Sequence, residues 1–261
     1  MKAIILYARY VSVCIRCRMA YRISFLLAVL SRFLVAFCGV IALSFLFSGF
    51  EHIKGYTYTD VLLCYAAMEM SFSLSECLSS GFAAFASMIK SGGFDTVLVH
   101  PRSPILQIMG MGFDMERIGA AISALVTLGI VLGMNAIDWT LMRLMTLLMM
   151  ILGGTVLFSA LFLIGAAICF FAVEESSALN LFTYGGKEHG KYPIDVYGKG
   201  LFRLCTFVIP YTLVQYYPLQ VLLGRSDQLL YTFFPLGAFL FWLAAYAFWR
   251  VGVRHYASTG S

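Results

Sequence analysis

Long apolar stretches without charge constrain this chain more than any other feature of its sequence. Residues 33–50 read FLVAFCGVIALSFLFSGF, which is eighteen residues without a charged side chain. A helix of that length crosses most of a lipid bilayer. Similar stretches recur along the chain, in which 61% of residues are apolar and only 12% are charged. This charged fraction is about half that of a typical soluble domain, so the sequence predicts an all-α, polytopic membrane protein.

The apolar stretches predict six membrane-spanning helices. They cover about residues 23–48, 58–88, 118–137, 144–172, 201–223 and 229–249. Pro210 and Pro218 fall inside the fifth of these spans. A proline inside a span is tolerated where neighbouring helices or water satisfy the freed carbonyl group. Two prolines in one span indicate that its outer half is bent or partly re-entrant.

The amino-terminal segment, residues 1–22, is basic and contains no acidic side chain. Lys2, Arg9 and Arg16 are seven residues apart, so they would share one side of a helix. Apolar residues share another side, namely Ile4, Ala8, Val11 and Ile15. This pattern predicts an amphipathic helix that lies in the membrane interface with its arginines toward lipid headgroups. A disordered basic tail is the alternative interpretation.

The distribution of lysine and arginine predicts the orientation of the spans. With the amino terminus inside, Arg32 lies in the membrane and three basic residues face outward, namely Lys54, Arg143 and Arg225. Fourteen face the cytoplasm, namely Lys2, Arg9, Arg16, Arg18, Arg22, Lys90, Arg102, Arg117, Lys187, Lys191, Lys199, Arg203, Arg250 and Arg254. This excess follows the positive-inside rule, so both termini are expected to be cytoplasmic. Residues 89–117 and 173–200 would then form two cytoplasmic loops within a single transmembrane domain, residues 1–261.

The second span carries a polar face. Four polar residues recur there at intervals of three or four and share one side of the helix: Glu69, Ser73, Glu76 and Ser80. Carboxyl groups at bilayer depth are costly, so they should face protein or a water-filled path. A hairpin between the first two spans would place Arg32 opposite Glu76, and we predict a contact between them. Arg32 and the first three polar residues would line a translocation pathway or form a purely structural polar contact.

Two carboxylates in one span leave open a membrane-embedded enzyme acting on lipid or peptide, with Glu69 and Glu76 as acid and base. No nucleophile, histidine or set of metal ligands accompanies them in the sequence. Residues 185–191 fit the start of a phosphate-binding loop, but Tyr192 stands where a serine or threonine should bind magnesium. The chain itself is therefore expected to hold no cofactor or metal and to be no enzyme. An ion-coupled secondary transporter is a further alternative, which inverted repeats would favour.

Three segments point to one family. The segment after the second span, residues 89–104, reads IKSGGFDTVLVHPRSP, with a basic residue, glycines, an aromatic residue, a leucine and a proline in that order. Residues 178–224 have Tyr-Pro before the fifth predicted span and Ile-Pro and Tyr-Pro within it. The ending, residues 249–256, reads WRVGVRHY. Together these segments resemble the type-two ABC exporter permeases, the ABC-2 family, over nearly the whole chain.

The resemblance implies a half-transporter in the bacterial cytoplasmic membrane, surrounded by lipid and without a nucleic acid partner. A second permease, identical or a sister chain, and separate ABC ATPase subunits would complete the complex, with ATP and magnesium on the ATPase. The amino-terminal helix is similar to the family's elbow helix. A short coupling helix in the first inner loop docks in the ATPase and corresponds here to about residues 92–101.

The resemblance also implies contacts for that coupling helix. Phe94 and Leu98 are four residues apart and would form its apolar contact face, whereas Asp95 and Arg102 would make polar contacts. The residues assigned to ATPase coupling are Gly93, Phe94, Asp95, Leu98, Pro101 and Arg102.

Overall fold

The computed structural model describes residues 2–134, 137–172, 177–226 and 228–256. The α-helices in the described part of the chain are α1 Lys2–Met19, α2 Arg22–Gly49, α3 Tyr58–Ala83, α4 Phe85–Lys90, α5 Gly93–Val99, α6 Pro104–Met111, α7 Ile118–Gly133, α8 Leu141–Ile168, α9 Ser177–Gly190, α10 Lys199–Phe207, α11 Tyr211–Val214, α12 Tyr216–Leu222, α13 Leu229–Phe233 and α14 Gly237–His255. Three short 3₁₀ turns lie between them, namely Met115–Arg117, Ile194–Tyr197 and Phe234–Leu236. The predicted all-α class is therefore confirmed.

Five segments of the described chain are long and apolar enough to cross a membrane. They are Arg22–Gly49, Tyr58–Lys90, Met115–Gly133, Leu141–Ile168 and Leu229–His255. These segments correspond to the first, second, third, fourth and sixth predicted spans. A helix also forms at Lys2–Met19, where the sequence predicts an amphipathic helix. Its location in the membrane interface stays a prediction.

The fifth predicted span, residues 201–223, is not a continuous helix. Its backbone breaks twice, once at Pro210 and once at Gln215, which leaves the short helices α10, α11 and α12. Pro210 has no backbone N–H to donate and its ring clashes with a preceding helical turn, so α10 ends before it. Pro218 lies in the first turn of α12, where a missing N–H costs little. A sixth continuous membrane-crossing helix is therefore not confirmed here, whereas the predicted bend is present.

The helix α3 is the centre of the bundle. In its apolar window 89% of residues are buried, and it packs against α7, α8, α6 and α9. Small residues allow this close packing, because a Cβ at Gly81 would overlap the backbone of Ile108 and Gly112 on the neighbouring segment. The helix α2 is mostly exposed, since only 17% of the residues in its apolar window are buried. The exposed face of α2 is therefore left for lipid or another subunit.

The bundle has two ends, which we name after one buried aromatic residue in each. At the Tyr56 end, the loop between α2 and α3 meets the segment after α12, where Arg225 Nη2 donates to the carbonyl oxygen of Gly55 (2.6 Å) and to Asp60 (3.2 Å). At the Phe94 end, α5 meets the carboxyl end of α14.

The helix α9 runs along α3 from the Phe94 end toward the Tyr56 end. Tyr184 packs on Phe72, in the middle of α3, with ring centroids 5.4 Å apart. Farther along, Cys64 lies against the carbonyl of Gly190 (3.5 Å). The Tyr56 hydroxyl donates to Asp195 Oδ2 across 3.0 Å. The described part of the predicted second cytoplasmic loop, residues 177–200, thus extends along α3 to the Tyr56 end instead of remaining at the Phe94 end.

The physical reason for this error is that α9 is short and polar. Its 14 residues span about 21 Å and include Lys187, Glu188 and His189, so hydropathy identifies it as a loop. Lys187 pairs with Glu69 on α3, whereas Glu188 and His189 are exposed on the other side of the helix. Of the fourteen basic residues placed in the cytoplasm, Lys187 now lies inside the bundle, and Lys191, Lys199 and Arg203 lie toward the Tyr56 end. Ten remain at the Phe94 end (14 − 4), against six at the Tyr56 end (3 + 3).

Candidate functional site

The polar face of α3 is buried inside the protein. Glu69 and Ser73 are 1% exposed and Glu76 is 5% exposed. The Ser73 hydroxyl donates to the Glu69 carbonyl one turn back on the same helix, at 2.7 Å. Ser75 and Ser79 both contact the Ser159 hydroxyl on α8, at 3.2 and 3.1 Å. The serines are thus satisfied by hydrogen bonds, as buried hydroxyls must be.

The carboxylate of Glu76 is paired with Arg117. Arg117 Nη1 lies 2.9 Å from Glu76 Oε1, and Arg117 Nε lies 3.1 Å from Asp114 Oδ2. The predicted contact between Arg32 and Glu76 is therefore replaced by another ion pair. The helix α7 packs against both α2 and α3, and it brings Arg117 to the position that the sequence analysis assigned to Arg32. Arg32 remains exposed on α2.

The carboxylate of Glu69 is paired with Lys187 on α9. The Lys187 Nζ lies 2.9 Å from Glu69 Oε1 and 4.9 Å from the centre of the Phe72 ring. A buried charge is tolerated only when a partner of opposite charge compensates it. A signal for α9 was present in the sequence, because Tyr184, Lys187 and Lys191 fall on one side of a helix. This polar stripe matches the polar face of α3 and was not among the predictions from the sequence.

A cavity of about 560 Å³ opens beside the Glu76–Arg117 ion pair. Glu76, Arg117 and Tyr184 line one side, and Cys14 and Arg18 of α1 line another. Arg18 is itself held by Glu116, with Nη1 2.7 Å from Oε1, so the wall of the cavity carries charges of both signs. The volume holds several water molecules or a polar group. Of the four residues predicted to line a pathway, only Glu76 lines this cavity.

The short helix α5 is anchored in an aromatic cluster at the Phe94 end. Phe94 is 0% exposed, and its ring centroid lies 5.1 Å from that of Phe85, 5.4 Å from Phe170 and 5.0 Å from Tyr256. Trp249 of α14 completes the cluster. The Phe94 ring, which the sequence analysis assigned to an apolar docking face for a partner, is therefore buried within the subunit. This burial arises because α5 turns its largest apolar side chain inward.

The outward side of α5 carries other apolar residues. Leu98 is 39% exposed and Val99 is 83% exposed. Pro101 and Arg102 are exposed directly after the helix, and Gly93 is its first residue. The side-chain amide of Gln107 links the end of α5 to the residues after it. Its Nε2 donates to the carbonyl of Val97 (3.2 Å) and to that of Arg102 (3.3 Å). Gln107 is 1% exposed and was not identified from the sequence.

A polar contact also links α5 to the end of the chain. The Tyr256 hydroxyl donates to Asp95 Oδ1 at 3.0 Å. Burial raises the pKa of Tyr256, and the hydrogen bond to the Asp95 carboxylate raises it further. The phenol therefore keeps its proton at neutral pH and remains a donor. Asp95, predicted to contact a partner, thus has a contact within the subunit.

Gln215 holds the broken segment α10–α12 against α9. Its side chain is 0% exposed, and Nε2 donates to the carbonyls of Gly190 and Tyr192, at 2.7 Å each. Its Oε1 accepts from the Ile194 N–H at 3.2 Å. These bonds satisfy backbone groups at and after the carboxyl end of α9, which have no helical partners. A glutamine in a largely apolar stretch gave no sequence signal for this role.

No metal-binding cluster is present in the part of the chain that the structure describes, since no three histidine, cysteine, aspartate or glutamate side chains converge there. The arrangement around α3 is instead a set of ion pairs and hydrogen bonds between helices. Such a set can hold neighbouring helices in one relative position. If the charged groups exchanged partners, the helices could adopt a second relative position.

One family model matches the sequence over residues 33–260, and its description is "ABC-2 family transporter protein". No curated protein and no solved structure matches the chain. The matched range begins within α2 and extends past the end of α14, so it includes the polar face of α3, the helix α5 and the aromatic cluster.

Proposed function

Since the chain belongs to the ABC-2 transporter family, we propose that it is the permease subunit of an ATP-driven exporter. It forms half of a translocation pathway and pairs with a second permease, which is identical or a sister chain. A separate ABC ATPase subunit binds ATP and magnesium and supplies the energy. The complex resides in the bacterial cytoplasmic membrane.

The position of α5 is the observation that carries this proposal. One side of the helix buries Phe94 in the aromatic cluster, and the other side exposes Leu98 and Val99. A small apolar surface on a well-anchored helix is suited to docking in a groove of a partner. Leu98, Val99 and the adjacent Arg102 form the docking surface of α5 in this proposal.

The aromatic cluster explains how docking reaches the membrane helices. Phe85 follows the end of α3, Phe170 follows the end of α8, and Trp249 lies on α14. Because Phe94 contacts all three, a displacement of α5 is transmitted to three long helices at once. Closely packed rings transmit displacement well, since interiors are dense and hardly compressible. The ATPase would act on α5, and the helices would change between two packings.

The proposed orientation places the Phe94 end in the cytoplasm. With the ten and six basic residues of the revised count, the Phe94 end still carries the excess of positive charge. This excess agrees with the positive-inside rule and puts α5 where an ATPase is available. The Tyr56 end, including the broken segment α10–α12, then faces outward.

Copurification tests the proposal. The native complex is extracted in mild detergent through a tag on this chain, and an ABC ATPase is expected to elute with it. The variant Leu98→Asp/Val99→Asp should lose the ATPase, because charged groups replace the apolar surface of α5. The matched control His52→Asp/Gln228→Asp adds the same charge to exposed positions at the Tyr56 end and should retain it. Retention of the ATPase by both variants contradicts the docking surface, and its absence from the wild type contradicts the proposed function.

A further inference from the structure

A second pocket lies at the Tyr56 end, between the loop after α2 and the helix α10. Its volume is about 400 Å³. The residues that line it are Lys54, Asp195, Gly198, Lys199, Phe202, Arg203 and Tyr216. Lys54 reaches the pocket because it adopts a left-handed backbone, with φ of 48°, next to Gly55 at φ of 80°. The bend is held by a bond from Lys54 Nζ to the carbonyl of Asp195 (3.3 Å).

The charge in this pocket is strongly positive. Lys54, Lys199 and Arg203 face a single carboxylate, Asp195, whose Oδ2 already accepts from the Tyr56 hydroxyl. Within the described residues no ion pair joins Lys199 or Arg203 to an acid. Both side chains are exposed. Ammonium and guanidinium groups that converge without carboxylate partners are the usual ligands of a phosphate.

The helix α10 descends from this basic pocket into an apolar surface. Lys199, Arg203 and Phe207 are four residues apart and share one side of the helix. Phe207 is 85% exposed and Val208 is 61% exposed. In a membrane protein such exposed side chains contact lipid hydrocarbon. From Lys199 to Phe207 the helix rises about 12 Å, which is enough to pass from the headgroup layer into the hydrocarbon.

We propose that Lys54, Lys199 and Arg203 bind the phosphate of an anionic lipid headgroup, with the acyl chains of that lipid beside Phe207 and Val208. The rings of Phe202 and Tyr216 flank the headgroup. The basic groups lie next to the exposed apolar residues Phe207 and Val208. This arrangement favours a phosphate that belongs to a lipid over a free anion, because only a lipid also supplies acyl chains. The proposal stands on the geometry of this pocket and of α10, so it holds whether or not the chain couples to an ATPase.

Photo-crosslinking in nanodiscs tests the site. The purified full-length chain is placed in phosphatidylcholine that contains phosphatidylglycerol with a photoactivatable headgroup, and crosslinks are mapped by mass spectrometry. The wild type is expected to crosslink within residues 195–216. Lys199→Gln/Arg203→Gln should lower this crosslinking about tenfold or more, since each basic group near a membrane surface contributes to anionic lipid binding. Millimolar inorganic phosphate should leave the crosslinks unchanged.

The matched control is Lys191→Gln/Arg143→Gln, which removes two positive charges from the same part of the molecule. Lys191 is paired with Glu188 (2.5 Å) and Arg143 donates to the Asp138 carbonyl (2.6 Å), and neither residue lines the pocket. The proposed site is overturned if crosslinking falls as much in the control as in Lys199→Gln/Arg203→Gln. It is also overturned if folded Lys199→Gln/Arg203→Gln crosslinks as fully as the wild type. If millimolar inorganic phosphate abolishes the crosslinks, the site binds a free phosphate and not a lipid headgroup. If the double variant does not fold, each single variant should still lower crosslinking severalfold.

Discussion

Lys187 on α9 and Glu69 on α3 form an ion pair in the interior of the bundle, with Nζ and Oε1 2.9 Å apart. The Glu69 side chain is 1% exposed and the Lys187 side chain 19%. The pair fixes a short polar helix against the most buried helix of the protein. It also explains how a segment with the composition of a loop packs inside a membrane bundle.

Removal of one partner of this pair should be strongly destabilising. Lys187→Met leaves the Glu69 carboxylate buried without a counter-charge, which costs roughly 3–5 kcal/mol. Thermal unfolding of the purified protein should show a clear decrease in Tm, and Glu69→Gln/Lys187→Met should recover most of it. The control Lys191→Met breaks a pair with the exposed Glu188 and should change little. Equal decreases in Tm for Lys187→Met and Lys191→Met would contradict a particular contribution of the Glu69–Lys187 pair to stability.

A double-mutant cycle should identify Arg117 as the partner of Glu76. Arg117→Gln and Glu76→Gln are expected to show a coupling energy on the order of 1–3 kcal/mol, because the two side chains are in contact. Arg32→Gln combined with Glu76→Gln should be close to additive. Thermal unfolding measures both cycles. Stronger coupling for Arg32 than for Arg117 would restore the pairing predicted from the sequence.

Phe94→Ala should destabilise the Phe94 end of the protein. Truncation of a fully buried phenylalanine costs roughly 3–5 kcal/mol, because it removes apolar contacts and leaves a cavity between Phe85, Phe170 and Tyr256. The partly exposed Leu98 serves as the control, and Leu98→Ala should cost about 1 kcal/mol or less. Chemical unfolding and hydrogen exchange of α5 measure the difference. Comparable losses at both positions would place Phe94 outside the core.

Gln215→Leu should loosen the contact between α9 and the segment α10–α12. The substitution keeps the approximate volume but leaves the Tyr192 carbonyl without its donor and the Gly190 carbonyl with only the weak Cys64 thiol donor, at a cost of about 1–3 kcal/mol. Hydrogen exchange is expected to rise at residues 190–198. Gln220→Leu, which loses one bond to the Tyr56 hydroxyl, is the comparison and should affect that region less. Unaltered protection in Gln215→Leu would rule out this role for the glutamine.

Cysteine labelling should distinguish the two ends of the bundle. Lys199→Cys is expected to react with an impermeant thiol reagent on intact cells, although sequence analysis places Lys199 in the cytoplasm. Ser103→Cys, next to α5, should react only after the membrane is permeabilised. The unsubstituted chain, with its seven native cysteines, sets the background. Reaction of both positions from the same side would contradict the course of α9 and the proposed orientation.

Much of the fold could be predicted because hydropathy is a local property. Apolar runs mark helices wherever they occur, so five predicted spans correspond to helices long enough to cross a membrane. A helix is present at Gly93–Val99, within the residues 92–101 that the family resemblance assigns to a coupling helix, and its docking in an ATPase stays a prediction. The polar face of α3 also followed from spacing alone, because residues three and four apart share a helical side.

The sequence by itself determined which segments are helical and apolar, that α3 has a buried polar face, and that the chain resembles the ABC-2 permeases, a family to which it belongs. Only the tertiary structure decided the partners. It assigned Arg117 instead of Arg32 to Glu76, brought Lys187 to Glu69, and turned Phe94 inward. The reason is physical: burial of a charge or a ring depends on groups that are distant along the chain, and no local pattern contains that information.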